Sequence, residues 1–400
     1  MNVKRDNFIK ISGIVLTVTL LAGMILLRSL QNYDHRNYLN SNFFFFWLAG
    51  RMELTGQNPY DQVQYLAGHD SAGFTWKPNK IFPYPLPLAI LMVPLGMLSL
   101  PNAYLAWQIV SQVIMALTCF TLFSHWYAPP QKRMLLPLMV FLLFFGPVFL
   151  SLQVGSIGAI ALLVVLGSIL FYENKKTFMA GMILSLTMLK PPQGLTIILL
   201  AGVWFLSRKD WKAILGMASG GIALFLIGIL QDPAWVTKFL VASQAVLDRS
   251  QGVNSNVWGL AFRICKGASP CSPLLGSASA LIVLVLGSLF LWKKNIHLTV
   301  WEAFNFIIPL AFFSTIYLWS YDQILYIVPI TWIVGMLVEM KKSYIQAFIF
   351  LVVLVLSSLI ELAYFSYTHI DIWSIGNTFL VLGMVFWLMA LKQRSPTNVK

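Results

Sequence analysis

Apolar runs of near-membrane length recur from residue 11 to residue 391, and they leave no room for a large water-soluble domain. The hydrocarbon core of a bilayer asks for about 17–25 apolar residues per helix. The candidate runs are 11–30, 102–124, 134–152, 155–172, 177–190, 192–207, 213–230, 278–293, 298–318, 322–340, 343–364 and 372–391. Several are short, which tilt, local thinning or snorkelling flanks accommodate. Only 10% of the residues are charged, against about a quarter in a soluble domain. That is too few to cover a wetted surface. The expected fold is an all-α polytopic membrane protein of about twelve transmembrane helices, one integral membrane domain over 1–400.

The formal net charge is +13. A nucleic-acid binder would gather such charge into a stripe on a polar face. Here the basic residues sit in short pairs between apolar runs, so no nucleic-acid partner is expected. The first 30 residues have a basic start and an apolar stretch, but Arg28, Gln31, Asn32 and Tyr33 follow in place of a small-residue cleavage site. They are expected to form an uncleaved first span. The run 84–100 is ambiguous, because Pro83, Pro85, Pro87 and Pro94 interrupt helical hydrogen bonding. Charge decides. If 84–100 does not cross, the pairs Lys132 and Arg133, Lys175 and Lys176, Arg208 and Lys209, Lys293 and Lys294, and Lys341 and Lys342 all fall on the side of Lys4 and Arg5. The positive-inside rule therefore predicts about twelve spans with both termini cytoplasmic; the expected location is the plasma membrane. The run 84–100 becomes a re-entrant element.

Two long extracytoplasmic loops result, 31–101 and 231–277, each carrying short interfacial helices. Asn42 is expected to cap a helix over 43–53 whose aromatic run suits the membrane interface. Asp232 and Pro233 open a second helix with Trp235, Phe239, Ala242 and Val246 on one apolar face. Cys265 and Cys271 share this loop across a turn-rich spacer and are a disulfide candidate on the oxidising side.

The acidic residues are uneven. Asp34, Glu53, Asp61, Asp70, Asp232, Asp248, Asp322 and Asp371 all fall in outer loops or at outer span ends, with Glu361 near the outer end of its span. Each taken singly reads as a solvated loop charge. Together they place polar chemistry on the outer face, away from the mid-membrane depth of ion relays. No His, Asp or Glu spacing suggests a metal site, and no cofactor is implied.

Four outer segments carry the strongest signal: Asn42-Phe-Phe-Phe-Phe-Trp-Leu-Ala-Gly-Arg51 with Gly56-Gln-Asn-Pro-Tyr-Asp61; Phe82-Pro-Tyr-Pro85; the tips Gln153-Val-Gly-Ser156 and Leu189-Lys-Pro-Pro-Gln193; and Leu318-Trp-Ser-Tyr-Asp-Gln323. In order and spacing, over 42–323, they resemble glycosyltransferase family 87, the polyprenol-phosphate-sugar-dependent enzymes of C-type glycosyltransferase fold. The resemblance implies transfer of a hexose such as mannose from a polyprenyl phosphate to an extracytoplasmic lipid or glycan acceptor, inverting and metal-independent. Two positions depart from the family pattern. Asn42 stands where the family has a catalytic acid, and Leu152-Gln-Val-Gly155 replaces Gly-Gln-Val-Asn.

Such chemistry needs a base for the acceptor hydroxyl and donors for the departing phosphate. Asp322, flanked by Trp319, Tyr321 and Gln323, is the preferred base; the plainer reading is an interfacial charge beside an aromatic belt. Asn42 occupies the catalytic slot but cannot take a proton, which leaves it to bind sugar or acceptor. Asp34 and Asp61 are substitute bases. Lys190 is the candidate phosphate partner, against simple snorkelling, and Arg51 is the second, against anchoring its helix. Tyr84, Gln153, Gln323, Asn254, Asn256 and Trp258 are candidate sugar contacts, with core or turn packing as the plainer role. Two other functions remain open. One is a transporter or lipid flippase, which the lack of an internal repeat disfavours. The other is an inactive relative that binds lipid-linked sugar, which Asn42 favours.

Overall fold

The computed structural model describes residues 27, 29–30, 38, 41–73, 80–126, 134–250, 252–294, 297–341, 343–368 and 370–394. All regular structure among them is helical. The chain begins with α1 (Asn42–Leu54), α2 (Gln62–Ser71), and the short α3 (Leu86–Leu91) and α4 (Val93–Gly96). Then come α5 (Leu100–Trp126), α6 (Leu135–Phe144), α7 (Gly146–Gln153), α8 (Gly158–Glu173) and α9 (Thr177–Leu184), the last tightening into a 3₁₀ turn, Ser185–Leu189. Next are α10 (Pro191–Ser207), α11 (Trp211–Gln231), α12 (Trp235–Ser250), α13 (Val257–Ile264), α14 (Cys271–Lys294) and α15 (Val300–Ser314). A 3₁₀ turn, Ser320–Tyr326, leads into α16 (Ile327–Lys341) and α17 (Tyr344–Thr368); another, Ile372–Ser374, leads into α18 (Ile375–Arg394). The expected span 11–30 lies outside the described residues.

Among the described residues six stretches are long and apolar enough to cross a membrane: Leu100–Trp126, Trp211–Gln231, Cys271–Lys294, Ser320–Met340, Tyr344–Thr368 and Ile372–Lys392. The run expected at 134–152 is a pair of helices bent by 46°, broken where Pro147 opens α7. Four further apolar helices are shorter, Gly158–Glu173, Thr177–Leu189, Pro191–Ser207 and Val300–Ser314. A helix of 16 residues reaches only about 24 Å. All four of these short helices have one end in the cluster of turns that holds Lys190 and Asp322. They stop short because the chain turns there, which leaves space between the tips.

The burial pattern orders the bundle. Of the window within Ser320–Met340, 89% is buried, against 22% for Trp211–Gln231 and for Cys271–Lys294. The former is the central post. The latter two carry Leu215, Ile222, Phe225, Leu281, Ile282 and Leu286 outward, an apolar surface suited to lipid. Where α9 crosses α11 there is no room for side chains. A Cβ on Gly181 would come within 1.9 Å of the Ala213 carbonyl oxygen, and one on Gly216 as close to that of Phe178. Close crossing on small residues supplies packing where no hydrophobic effect operates.

The first loop differs from its expectation in two respects. Ser41, not Asn42, caps α1, its hydroxyl accepting from Phe44 N at 3.3 Å. Phe43 to Phe46 are 0–4% exposed; they meet Trp107, Tyr84 and His69 inside the protein, not an interface. The run 84–100 does not form one helix. Pro87 and Pro94 each open a short one, and the two pack against α1. In the second loop α12 starts at Trp235, two residues later than expected, because Asp232 closes a turn by accepting from Ala234 N at 3.0 Å.

Candidate active site

The sequence Thr187-Met-Leu-Lys-Pro-Pro-Gln193 makes the first wall of the site. Pro191 cannot continue a helix from its N-terminal side but can begin one, so the chain breaks at Lys190 and restarts as α10. Gly194 lets the two halves close up, since a Cβ there would meet the Thr187 carbonyl oxygen at 2.2 Å. Lys190 and Gln193 thereby point the same way.

The second wall is the 3₁₀ turn after Trp319. Asp322 closes it by accepting from Trp319 N at 3.2 Å. Its other contacts come from the first wall: Lys190 Nζ donates to Oδ1, and Gln193 Nε2 to Oδ2 at 2.5 Å. The Lys190 and Asp322 side chains are 7% and 3% exposed, so this is a buried ion pair. The Lys190 ammonium also stands 4.9 Å from the centre of the Tyr321 ring. Trp319 stacks on that ring from further along, at 6.1 Å.

In front of the pair lies a cleft of about 640 Å³. Asn42, Tyr84, Lys190 and Tyr317 form its polar side; Phe45, Phe239, Val246 and Leu247 form an apolar side. Phe239, Val246 and Leu247 all come from α12, whose Trp235 and Ala242 are buried in the protein. The Asn42 side chain reaches the Tyr321 hydroxyl. Burial drives the Tyr84 phenol well above its ordinary range, and Tyr317 and the Asp322 carboxylate push it the same way, so Tyr84 stays a proton donor. A second space of about 310 Å³ lies toward the bundle interior, lined by Asp322, Gln193, Ala161, Ile197 and Phe312 among others. Lys190 lines both spaces, and among the described residues no carboxylate lines the larger cleft.

The structure thus brings together Asp322, Lys190, Asn42 and Tyr84, and adds Gln193 and Tyr317. The motif held Gln193 without giving it a role. Tyr317 was not singled out; its signal was alternation with Trp319 and Tyr321. The other candidates stand elsewhere. Asp61 is exposed and caps α2, accepting from Gln64 N at 2.9 Å. Arg51 is exposed, donates to the Gly96 carbonyl at 3.4 Å and lies over Trp47. Gln153 is exposed, and its backbone carbonyl accepts from Tyr104 Oη at 3.0 Å. Asn254, Asn256 and Trp258 donate to the carbonyls of Ile316, Thr315 and Ser314 at 3.3, 2.7 and 3.2 Å. They fasten the second loop to the end of α15. Gln323 turns away from the cleft to donate to the Ser374 carbonyl at 2.8 Å. Cys265 and Cys271 are bonded to each other, between α13 and α14. Asp34 lies outside the described residues.

No curated protein and no solved structure matches this chain. A family model described as Glycosyltransferase family 87 matches residues 82–316, more than half of the length. That match takes in Tyr84, the Lys190 turn, α12 and the second loop and stops just short of Tyr317, so the cleft is built largely from matched sequence: the chain belongs to glycosyltransferase family 87.

Proposed function

We propose that the protein is an inverting membrane hexosyltransferase that draws on a polyprenyl-phosphate sugar and works without a metal ion. It has about twelve spans with both termini in the cytoplasm of a plasma-membrane protein, and the cleft opens on the extracytoplasmic side. The observation that carries this reading is Lys190, a cation between a half-apolar cleft and a buried carboxylate. The apolar side suits the first prenyl units, and the polar side suits a phosphate and a sugar.

The resting pair also suggests how the step runs. At rest the Asp322 carboxylate is occupied by an ammonium, an amide and a backbone N–H, which leaves its oxygens engaged. A phosphate arriving in the cleft offers Lys190 a second anion. When Lys190 turns to it, Asp322 Oδ1 is released and can accept from a hydroxyl. The acceptor hydroxyl then gives its proton to Asp322, its oxygen bonds to the anomeric carbon from the face opposite the phosphate, and the carbon–phosphate-oxygen bond breaks. The electron pair leaves on the phosphate, where Lys190 balances the charge. Tyr84 and Asn42 hold sugar or acceptor hydroxyls.

A second reading keeps the ligand and drops the chemistry. Among the described residues no carboxylate lines the larger cleft, and Asn42 stands at its wall, which fits a relative that binds lipid-linked sugar without transferring it. The discriminating experiment is transfer of radiolabelled hexose from a polyprenyl phosphate in membranes, for wild type and Asp322→Asn. Transfer by wild type and its loss in Asp322→Asn supports the enzyme. Donor binding without transfer by wild type supports the second reading. Cysteine labelling tests the sidedness: positions beside Asp61 and Asn254 should react from outside, and positions beside Lys176 and Lys342 should not.

A further inference from the structure

Behind the Asp322 turn lies a second pair of buried ionisable groups that the mechanism above does not use. Asp371 ends the segment before the 3₁₀ turn Ile372–Ser374, and Glu361 stands on α17. They are 1% and 2% exposed. The partners that reach them are neutral. Asp371 Oδ2 accepts from Ser320 N and from Ser255 Oγ, the latter at 3.1 Å. Glu361 Oε2 accepts from Asn377 Nδ2 at 3.4 Å. The remaining oxygens, Asp371 Oδ1 and Glu361 Oε1, are shut off from solvent with no donor of their own. The two carboxyl groups lie within hydrogen-bonding reach of each other.

Two carboxylates in contact, out of water and with no cation beside them among the described residues, would each oppose the other's charge, and burial would oppose both. One proton held by the pair removes the repulsion and turns one carboxyl into a donor for the other. The connections lead straight to the candidate site. Ser320 begins the turn that holds Asp322. Asn377 also donates to Gln323 Oε1 at 3.1 Å, and Gln323 follows Asp322 directly. The residues on either side of the turn are therefore tied to this pair.

We infer that Asp371 and Glu361 share a single proton, and that this acid–carboxylate pair positions the turn carrying Asp322 against Lys190. It is a positioning element and touches no substrate. The proton is held by the pair and is not assigned to one member. Burial pushes the Asp371 carboxyl up to about 7, so the pair loses its proton on the alkaline side. The groups that meet it there are Ser255, Ser320 and Asn377, with the Lys190–Asp322 pair two residues along the turn. A folded-state value above the unfolded one favours the protonated folded form. Its contribution to stability is full below about pH 4 and is lost as pH rises from there through about 7.

The positional half of the inference rests on the role proposed for Asp322; the shared proton does not. The experiment separates them. Glu361→Gln keeps an N–H donor for Asp371 Oδ1 and removes the titration, whereas Glu361→Ala leaves that oxygen orphaned. Infrared spectra of the wild type should show a carboxylic-acid carbonyl band near neutral pH, absent from Glu361→Gln. In the transfer assay, Glu361→Gln should keep near-wild-type kcat and lose the alkaline fall in rate. Glu361→Ala should lose at least tenfold in kcat with donor KM little changed. Thermal unfolding shows that each variant is folded. Absence of the acid band, or a wild type that binds calcium with a chelator-sensitive melting temperature, overturns the shared proton. A folded Glu361→Ala with normal kcat overturns the positioning. If wild type transfers nothing, the infrared result still decides the proton.

Discussion

The two buried pairs on either side of one 3₁₀ turn are opposites. Lys190 and Asp322 carry unlike charges and stand where the cleft meets the bundle interior. Asp371 and Glu361 are like groups, buried, and among the described residues the donors that reach them are neutral. An unlike pair beside an opening can exchange partners when an anion arrives. A like pair with no opening can only hold. Charge meant to move is kept next to space, and charge meant to fix geometry is kept away from it.

The sharpest way to break this contrast is to remove the mobile side. Asp322→Asn keeps shape and removes the base, and should lower sugar transfer by about 10²–10⁴ at normal expression. Asp61→Asn, changing an exposed helix cap, should leave transfer unchanged; the reverse result would move the base to the first loop.

Lys190→Ala separates charge from stability. It leaves Asp322 buried without its cation, which costs about 3–5 kcal/mol, read as a fall in melting temperature in detergent. The double variant Lys190→Met with Asp322→Leu removes both charges and should recover most of that loss while remaining inactive. A double variant as unstable as Lys190→Ala would mean that the pair is structural first.

Smaller effects sharpen the contrast from outside. Cys265→Ser with Cys271→Ser opens a loop of sequence separation 6, and should cost at most about 2–3 kcal/mol with transfer retained. Asn42→Asp should change transfer least if, as proposed, Asp322 supplies the base. A clear gain in rate would show that the cleft lacks a working carboxylate, and would favour the binding-only reading.

How much of this could be read from the chain depends on distance. The Lys-Pro-Pro tip is local chemistry, and proline alone dictates that the helix breaks at Lys190. The positive residues and the motif order put Lys190 and Asp322 on one face. Their direct contact, 132 positions apart, has no local signal, and neither has the Gln193 amide that completes it. Asp371 and Glu361 looked like loop charges, because a sequence shows that an acid is near a span end but not what covers it. The Phe43 to Phe46 run misled for the same reason. Aromatic density suits a membrane interface and a protein core equally, and only the covering helices decide. Asn254, Asn256, Trp258 and Gln323 have the hydrogen-bonding capacity of sugar ligands and spend it on backbone carbonyls, a choice set by tertiary neighbours.

The division of the cleft into a polar side at Lys190 and an apolar side on α12 acts as a ruler with one mark. A lipid-linked substrate seats where its headgroup ends and its hydrocarbon begins, because only that boundary matches both sides at once. For the proposed donor, the cleft would contact the first few carbons beyond the phosphate and nothing further, the rest of the chain running out among bilayer lipids. On the proposed reading, discrimination falls on the sugar and on the first prenyl units, and donors with long or shortened tails should compete on equal terms once they are in the same membrane.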